Sequence, residues 1–251
     1  MDTHDLFPLF YHAQHQKYLE DLPFWLGLAA THGSPILELG CGSGRVLLPL
    51  ALAGYRVLGI DNDPGMLALL QKCLSPDVRA RISLLLADIT RIPLAEQFGL
   101  IVMPCNTLST LSQQAQADVL REVRSPLAQN SVFAVSLSNP ALLRGLSRLA
   151  EPEVEDTFLH PLSGGPVQVS SGWIKTADKL VITWHYDHLL PDGRVERLTS
   201  QVRHRLDSMQ DYLRAFSAAG LQVECLYGDF ACSAYSPDSE HLVFLARPGA
   251  F

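Results

Sequence analysis

Apolar positions along this chain recur at helical spacing in some stretches and as short runs or alternations in others, and the changes of period mark out its elements. Residues 36–39, 55–60, 82–86, 99–103 and 131–137 are short apolar runs that read as buried strands of a parallel sheet. Between them, residues 43–53, the stretch after Asp63-Pro64 and residues 113–127 repeat apolar side chains at helical spacing. Asp63-Pro64 is a helix start in its own right, an N-cap acid followed by a proline at the first helical position. Pro49 lies well inside the segment 43–53 and predicts a kink there unless the first turn absorbs it.

Over residues 150–206 the pattern changes. VQVSSGWI, LVITWHYDHLL and VERLTSQVRHRL alternate polar and apolar positions and are separated by Thr176-Ala177-Asp178 and Pro191-Asp192-Gly193, which predicts an antiparallel meander. Alternation puts Trp184, Tyr186 and His188 on one face and His185 and Asp187 on the other. Helical spacing returns at 208–219 ahead of Gly220, and strands at 222–227 and 241–246 are expected to pair antiparallel. Residues 5–30 are too apolar for a tail and read as one or two helices interrupted by Pro8 and Pro23. The predicted fold class is α/β: a Rossmann-like, seven-stranded, mostly parallel sheet with an antiparallel last strand, plus an antiparallel β insertion after strand 5. Residues 1–30 form an N-terminal helical cap, 31–149 and 207–251 the core, and 150–206 a lid over the carboxyl edge of the sheet that chooses the substrate.

The first strand runs into ILELGCGSGRV, where Gly40, Gly42 and Gly44 crowd into five positions ahead of a helix. Such a turn lets a ligand touch the backbone, with free helix N–H groups pointing back at it. The GxGxG spacing lacks the P-loop lysine and the third glycine of GxGxxG, so a phosphate cradle is the weaker reading. Glu38, two residues before Gly40, would repel a pyrophosphate but could bond loop amides or a cationic ligand. Asp61, 21 residues beyond Gly40, ends the second strand where an acid takes ribose hydroxyls.

ILELGCGSGRV followed by VLGIDNDPGML resembles motifs I and II of class I S-adenosylmethionine-dependent methyltransferases, and within them the small-molecule group related to glycine and sugar N-methyltransferases. The ending LYGDF and a final strand extend the resemblance over nearly the whole chain. It implies S-adenosylmethionine as cofactor, held by Glu38, Gly40, Cys41 and Gly42 of the first motif and by Asp61, Asn62 and Met66 of the second. Asp88 and Ile89, after the third strand, match the positions beside the adenine. In the family a leading helix closes over the cofactor and a tyrosine there touches it; Tyr11 and Tyr18 are the candidates, and Tyr11 is carried forward. At the end of the fourth strand, Asn106 and the backbone of Cys105 fall nearest the methionine part, with Asn106 a candidate for positioning the acceptor. The expected function is methyl transfer to a small-molecule amine or hydroxyl, with no metal. A nicotinamide-dependent oxidoreductase and a non-catalytic cofactor-binding protein are the alternatives on the same turn. Where methyltransferases of nucleic-acid bases or glutamine carry (D/N)PP(Y/F), this chain has MPCN, which argues against those substrates.

Composition narrows the partners. A hydrophobic content of 47% against 18% charged residues belongs to a folded globular chain. Net charge is −7, from 19 basic and 26 acidic residues, and the basic ones are scattered, which disfavours nucleic acid. No apolar run approaches a bilayer span and MDTHDLF lacks a signal-peptide pattern, so a cytoplasmic protein without membrane contact is expected. Five cysteines without CxxC pairs read as reduced thiols and not as a zinc site. A small-molecule methyl acceptor is the expected partner, and a homodimer the assembly weighed.

Overall fold

The computed structural model describes residues 3–249 apart from Pro93, so the first two residues of the expected cap and the last two of the core lie outside the described residues. Helices α1 (Thr3–His15) and α2 (Leu22–His32) precede strand β1 (Ile36–Leu39). Then follow α3 (Leu47–Leu52), β2 (Val57–Asp61), α4 (Pro64–Cys73), α5 (Pro76–Arg79) and β3 (Ile82–Leu86). Next come β4 (Phe98–Met103), α6 (Thr107–Thr110), α7 (Gln113–Glu122) and β5 (Leu127–Ser138). A short α8 (Pro140–Gly145) leads to β6 (Leu149–Leu159), β7 (Pro166–Lys175), β8 (Lys179–Leu189) and β9 (Val195–Arg205). The chain then returns through α9 (Met209–Ala218), β10 (Leu221–Tyr227) and β11 (His241–Pro248).

The seven strands of the main sheet run in the order β10-β11-β5-β4-β1-β2-β3. Pairing is parallel from β3 to β5, whereas β11 is antiparallel to both β5 and β10. The chain winds outward from β1 toward β3 and then, from β4, toward the other edge, so a topological switch lies between β1 and β4. Both faces of the sheet are covered. On one side Val119, Leu120, Phe216 and Tyr212 of α7 and α9 pack on Phe133 and Phe244; on the other, Trp25, Leu47, Leu50 and Leu70 pack on Ile36, Val57 and Val132. Burial on two faces is why the strands read as unbroken apolar runs. Strands β6 to β9 form a separate four-stranded antiparallel sheet. Among the described residues no helix is long and apolar enough to cross a membrane.

Several boundaries moved for identifiable reasons. The helix expected over 113–127 ends at Glu122 and residue 127 already belongs to β5. Ser125-Pro126 is the stop, because a residue before proline is pushed out of the helical region. The helix expected from 43 starts only at Leu47, since Gly44 sits at φ +87. Pro49 therefore falls in the first turn, where its missing N–H has no partner to lose. Pro8 does not divide the amino-terminal helix but lies inside α1, where Phe10 is buried against Tyr186 and Val169 and offsets the one lost hydrogen bond. The insertion holds a fourth strand, β6, which the sequence hid because AEPEVEDTF is acidic, exposed and free of alternation. Helix α6, between Asn106 and Gln113, was likewise not foreseen.

Asp63 caps α4, its Oδ1 accepting from the backbone N–H of Gly65 at 2.8 Å and of Met66 at 3.2 Å. Asp63→Ala should cost about 1 kcal/mol, read as a melting temperature lower by roughly 2–4 °C, with ligand binding per folded molecule unchanged.

Candidate active site

Two loops flank the switch point, the glycine turn after β1 and residues 104–106 after β4. The N–H groups of Gly40 and Cys41 both donate to the carbonyl of Ile60, at 2.8 and 3.0 Å, which fastens the turn to β2. Gly40, at φ +72, lies so close to α6 that a Cβ there would stand 2.7 Å from Thr107 Cγ2. Gly42, at φ +51, is the opposite case: a Cβ would meet nothing within 4 Å, so the turn is open at this point. Its N–H donates to Asp61 Oδ2 at 2.7 Å, and the N–H of Asp63 donates to Oδ1 at 2.9 Å. Burial lifts the Asp61 carboxyl above its ordinary value, although those backbone donors oppose the rise.

Glu38 is buried in the middle of β1, and its Oε2 has no hydrogen-bond partner. Burial raises its pKa well above the ordinary carboxyl range, with Arg45 acting the other way. An orphaned buried acceptor beneath an open glycine turn calls for a donor from outside the chain. Beside it, Arg45 makes a bidentate ion pair with Asp21, both contacts 2.6 Å, and Asp21 Oδ2 also accepts from Trp25 Nε1 at 2.8 Å. Arg45 donates in addition to the Tyr18 carbonyl at 2.6 Å and to Cys105 Sγ at 2.8 Å.

Helix α1 lies over this turn. His12 Nδ1 is 3.1 Å from Ser43 Oγ in the glycine turn, and Tyr11 stacks on His15 with ring centroids 4.1 Å apart. Burial, with Cys105 and Asp61 adding negative charge nearby, pushes the Tyr11 phenol up to about 12, so it stays a neutral donor. Tyr18, the other candidate, is 48% exposed and contributes its carbonyl to Arg45 instead. After β4, Cys105 and Asn106 adopt left-handed backbone at φ 60 and 66. Asn106 precedes α6, and its Oδ1 accepts from the Ser138 N–H at 2.5 Å, so its amide ties the ends of β4 and β5 together. The backbone of Cys105 donates to Ser136 Oγ at 3.2 Å. Along the carboxyl edge, Asn62 and Asp88 are exposed while Met66 and Ile89 are buried. Asp88 is held below its ordinary value by hydrogen bonds from Thr90.

The structure thus brings Tyr11, Glu38, Cys41, Gly42, Asp61 and Cys105 around one turn and strings Asn62 and Asp88 along the adjoining strand ends. Sequence reasoning missed Arg45, Asp21, His12 and Ser43. Arg45 and Ser43 stand inside the quoted motif and could have been weighed; Asp21 and His12 arrive from helices whose placement no periodicity announces.

Residues 36–130 match the family model of a methyltransferase domain. The chain is 26% identical over 230 residues to YqeM of Bacillus subtilis (strain 168), a protein with a provisional methyltransferase name, covering 89% of this chain and 87% of that one. Its fold superposes on the CcbJ methyltransferase from Streptomyces caelestis with a TM-score of 0.75, at 25% identity over 91% of this chain and 95% of the other. The sugar N-methyltransferase KedS8 from Streptoalloteichus sp shares the fold at a TM-score of 0.72 and 19% identity, over 95% of this chain and 92% of its own. Fold, turn and matched domain define a methyltransferase. The protein is an S-adenosylmethionine-dependent enzyme of that class, which displaces the nicotinamide alternative. The residues present fit this cofactor: open space at Gly42, an unpartnered Oε2 at Glu38 and acids at the ends of β2 and β3.

Alanine at the two glycines separates shape from ligand space. Gly40→Ala should destabilise the fold by more than the roughly 1–2 kcal/mol of a left-handed alanine, because of Thr107. Gly42→Ala should cost about that backbone term alone yet weaken S-adenosylmethionine binding. Thermal melting beside calorimetric titration checks both.

Proposed function

We propose that this enzyme transfers a methyl group to an amine or hydroxyl of a small molecule. The observation carrying this reading is the roof over the carboxyl edge: α1 lies on the glycine turn, and the four-stranded sheet lies on α1. Gln14 of α1 accepts from Tyr186 Oη at 2.7 Å and donates to Glu155 at 3.1 Å, while Lys17 pairs with Asp156 at 2.5 Å. In this reading such a cover suits a compact acceptor better than a folded macromolecule. In this reading residues 1–30 cap the site, 31–149 and 207–251 are the methyltransferase core, and 150–206 are the lid that selects the acceptor. The likeness to a sugar N-methyltransferase supports an amine.

Glu38, the glycine turn, Asp61, Asn62, Met66, Asp88, Ile89 and the Cys105 backbone would hold S-adenosylmethionine, with Tyr11 above it. When bound, the cofactor supplies an electrophilic methyl carried on sulfonium. The chain's own work is then to exclude water, align the acceptor and keep its heteroatom unprotonated. The Arg45–Asp21 pair fixes the turn, and Asn106 fixes the end of β4.

Calorimetric titration with S-adenosylmethionine should give heat, and a panel of small amines and alcohols should include methylated products by mass spectrometry. Binding without turnover on any of them would favour a non-catalytic binder. Asp61→Ala should weaken cofactor binding by about 1.5–3 kcal/mol. A protonated carboxyl cannot accept as the carboxylate does, so affinity should fall as pH drops through a value above the ordinary 3.8 of Asp61. Titrations from pH 7 downward, set against the Asp61→Asn variant, check the sign: the variant should lack the dependence.

A further inference from the structure

A recess lies at the carboxyl ends of β4 and β5, beside α6. It is a cavity of about 70 Å³ between the end of β4, the end of β5, the inserted sheet and α9. Asn106, Ser138, Leu180, Ile182, Tyr212 and His204 contribute to its wall. The volume exceeds that of a single water site, and the wall mixes the apolar Pro140, Leu143, Leu180 and Ile182 with polar groups that include Ser109 and Arg205. β1 and β4 are neighbours in the sheet, Gly40 packs against Thr107, and Asn106 and Ser109, before and after Thr107 in sequence, line this recess.

Hydrogen-bond accounting fixes the histidine. Ser109 Oγ donates to the carbonyl of Asn106 at 2.8 Å and lies 2.9 Å from His204 Nδ1. A hydroxyl has one proton. Given to Asn106, it leaves the Ser109 oxygen only as an acceptor, so His204 Nδ1 carries the ring proton and Nε2 is the bare lone pair. Among the described residues Nε2 has no further hydrogen bond. Burial lowers the His204 pKa from 6.5, which keeps the ring neutral at physiological pH. The charged groups nearby are already engaged: Arg205 makes a bidentate pair with Asp207 at 2.7 and 2.6 Å, and Arg144 donates to the Leu206 carbonyl. Tyr212, the remaining titratable group in the wall, is raised by burial and stays neutral.

We propose that this cavity receives the reacting amine or hydroxyl end of the methyl acceptor, and that His204 Nε2 takes its proton, with Ser109 as the positioning residue. The proton passes to Nε2 from the acceptor's hydroxyl or, for an amine, from its ammonium form, and the electron pair it leaves stays on that oxygen or nitrogen as the nucleophile. The ring becomes imidazolium and returns its proton to water. The inference rests on the methyltransferase reading of the turn and adds to it the place and the base.

Histidine ¹⁵N NMR on the full chain, with His204 assigned by its loss in His204→Gln, tests the tautomer: Nε2 should give the unprotonated signal at pH 7, and Ser109→Ala should abolish that bias. Methylamine and ethanol, as probes small enough for the recess, should shift the His204 signal in wild type. Ile182→Trp, which fills the cavity, should remove that shift while the S-adenosylmethionine titration is unchanged. His204→Gln should lower kcat on any amine or alcohol turned over by about 10²- to 10⁴-fold, with KM little changed. The wild-type profile should lose activity as pH falls through a value below 6.5, and the variant should lack that limb. A protonated Nε2, probe shifts elsewhere on the protein, or full activity in His204→Gln would overturn the proposal. No heat with S-adenosylmethionine in wild type would overturn the cofactor reading beneath it, whatever His204 does.

Discussion

The Arg45–Asp21 pair is the contact on which the site's shape depends. The side chains are 15% and 9% exposed, so each charge is largely removed from water and relies on the other. Removing one partner of such a pair costs about 3–5 kcal/mol, because the survivor is left buried and uncompensated. Burial by itself would raise the Asp21 carboxyl, yet the guanidinium more than offsets this and holds it below the ordinary value. Through this pair, the residue following the third glycine is fixed to the segment between α1 and α2, to buried Trp25 and to the end of β4. The glycine turn is thus held from the amino-terminal helices as well as from its own sheet.

Helix α1 carries the second constraint, because its two sides serve different partners. Phe10 and Gln14 face the inserted sheet, meeting Tyr186, Phe158 and Glu155, whereas Tyr11 and His12 face the turn. The face of the meander carrying Trp184 and Tyr186 therefore packs on a helix and does not line an open crevice. Trp184 Nε1 finds Glu155 at 2.8 Å and Tyr186 finds Gln14, each polar tip satisfied inside an apolar contact. Glycine turn and inserted sheet are coupled mechanically through one helix that belongs to neither sheet.

Much of this architecture was legible in the chain. Continuous apolar runs gave the parallel strands, period-two alternation gave three strands of the insertion, and Asp63-Pro64 and Gly220 gave helix limits, because each reports a local rule. The glycine turn and Asp61 were legible because a tight turn and a strand-end acid leave fixed spacing. What escaped was set by tertiary context. β6 is exposed along most of its length, with only Ala150, Asp156 and Phe158 half-buried, and so shows no sustained alternation. α6 is too short to show a period and is started by a left-handed Asn106. Asp21, Ser109 and His204 acquire meaning only when segments far apart in sequence meet; His204 and Ser109 are 95 positions apart. The Ser125-Pro126 stop was readable and was overlooked.

The position of β11 bears on how the protein is made. This strand hydrogen-bonds to β5 on one side and to β10 on the other, so it is an interior strand built from the last described element. During synthesis from the amino terminus, β1 to β5 emerge early, but the open edge of β5 must wait for the entire insertion, α9 and β10 before its neighbour exists. A nascent chain therefore displays an unpaired apolar strand edge while residues 139–248 are being made, the kind of edge on which chains associate wrongly. The ribosome's pace over residues 139–248 sets how long the exposure lasts.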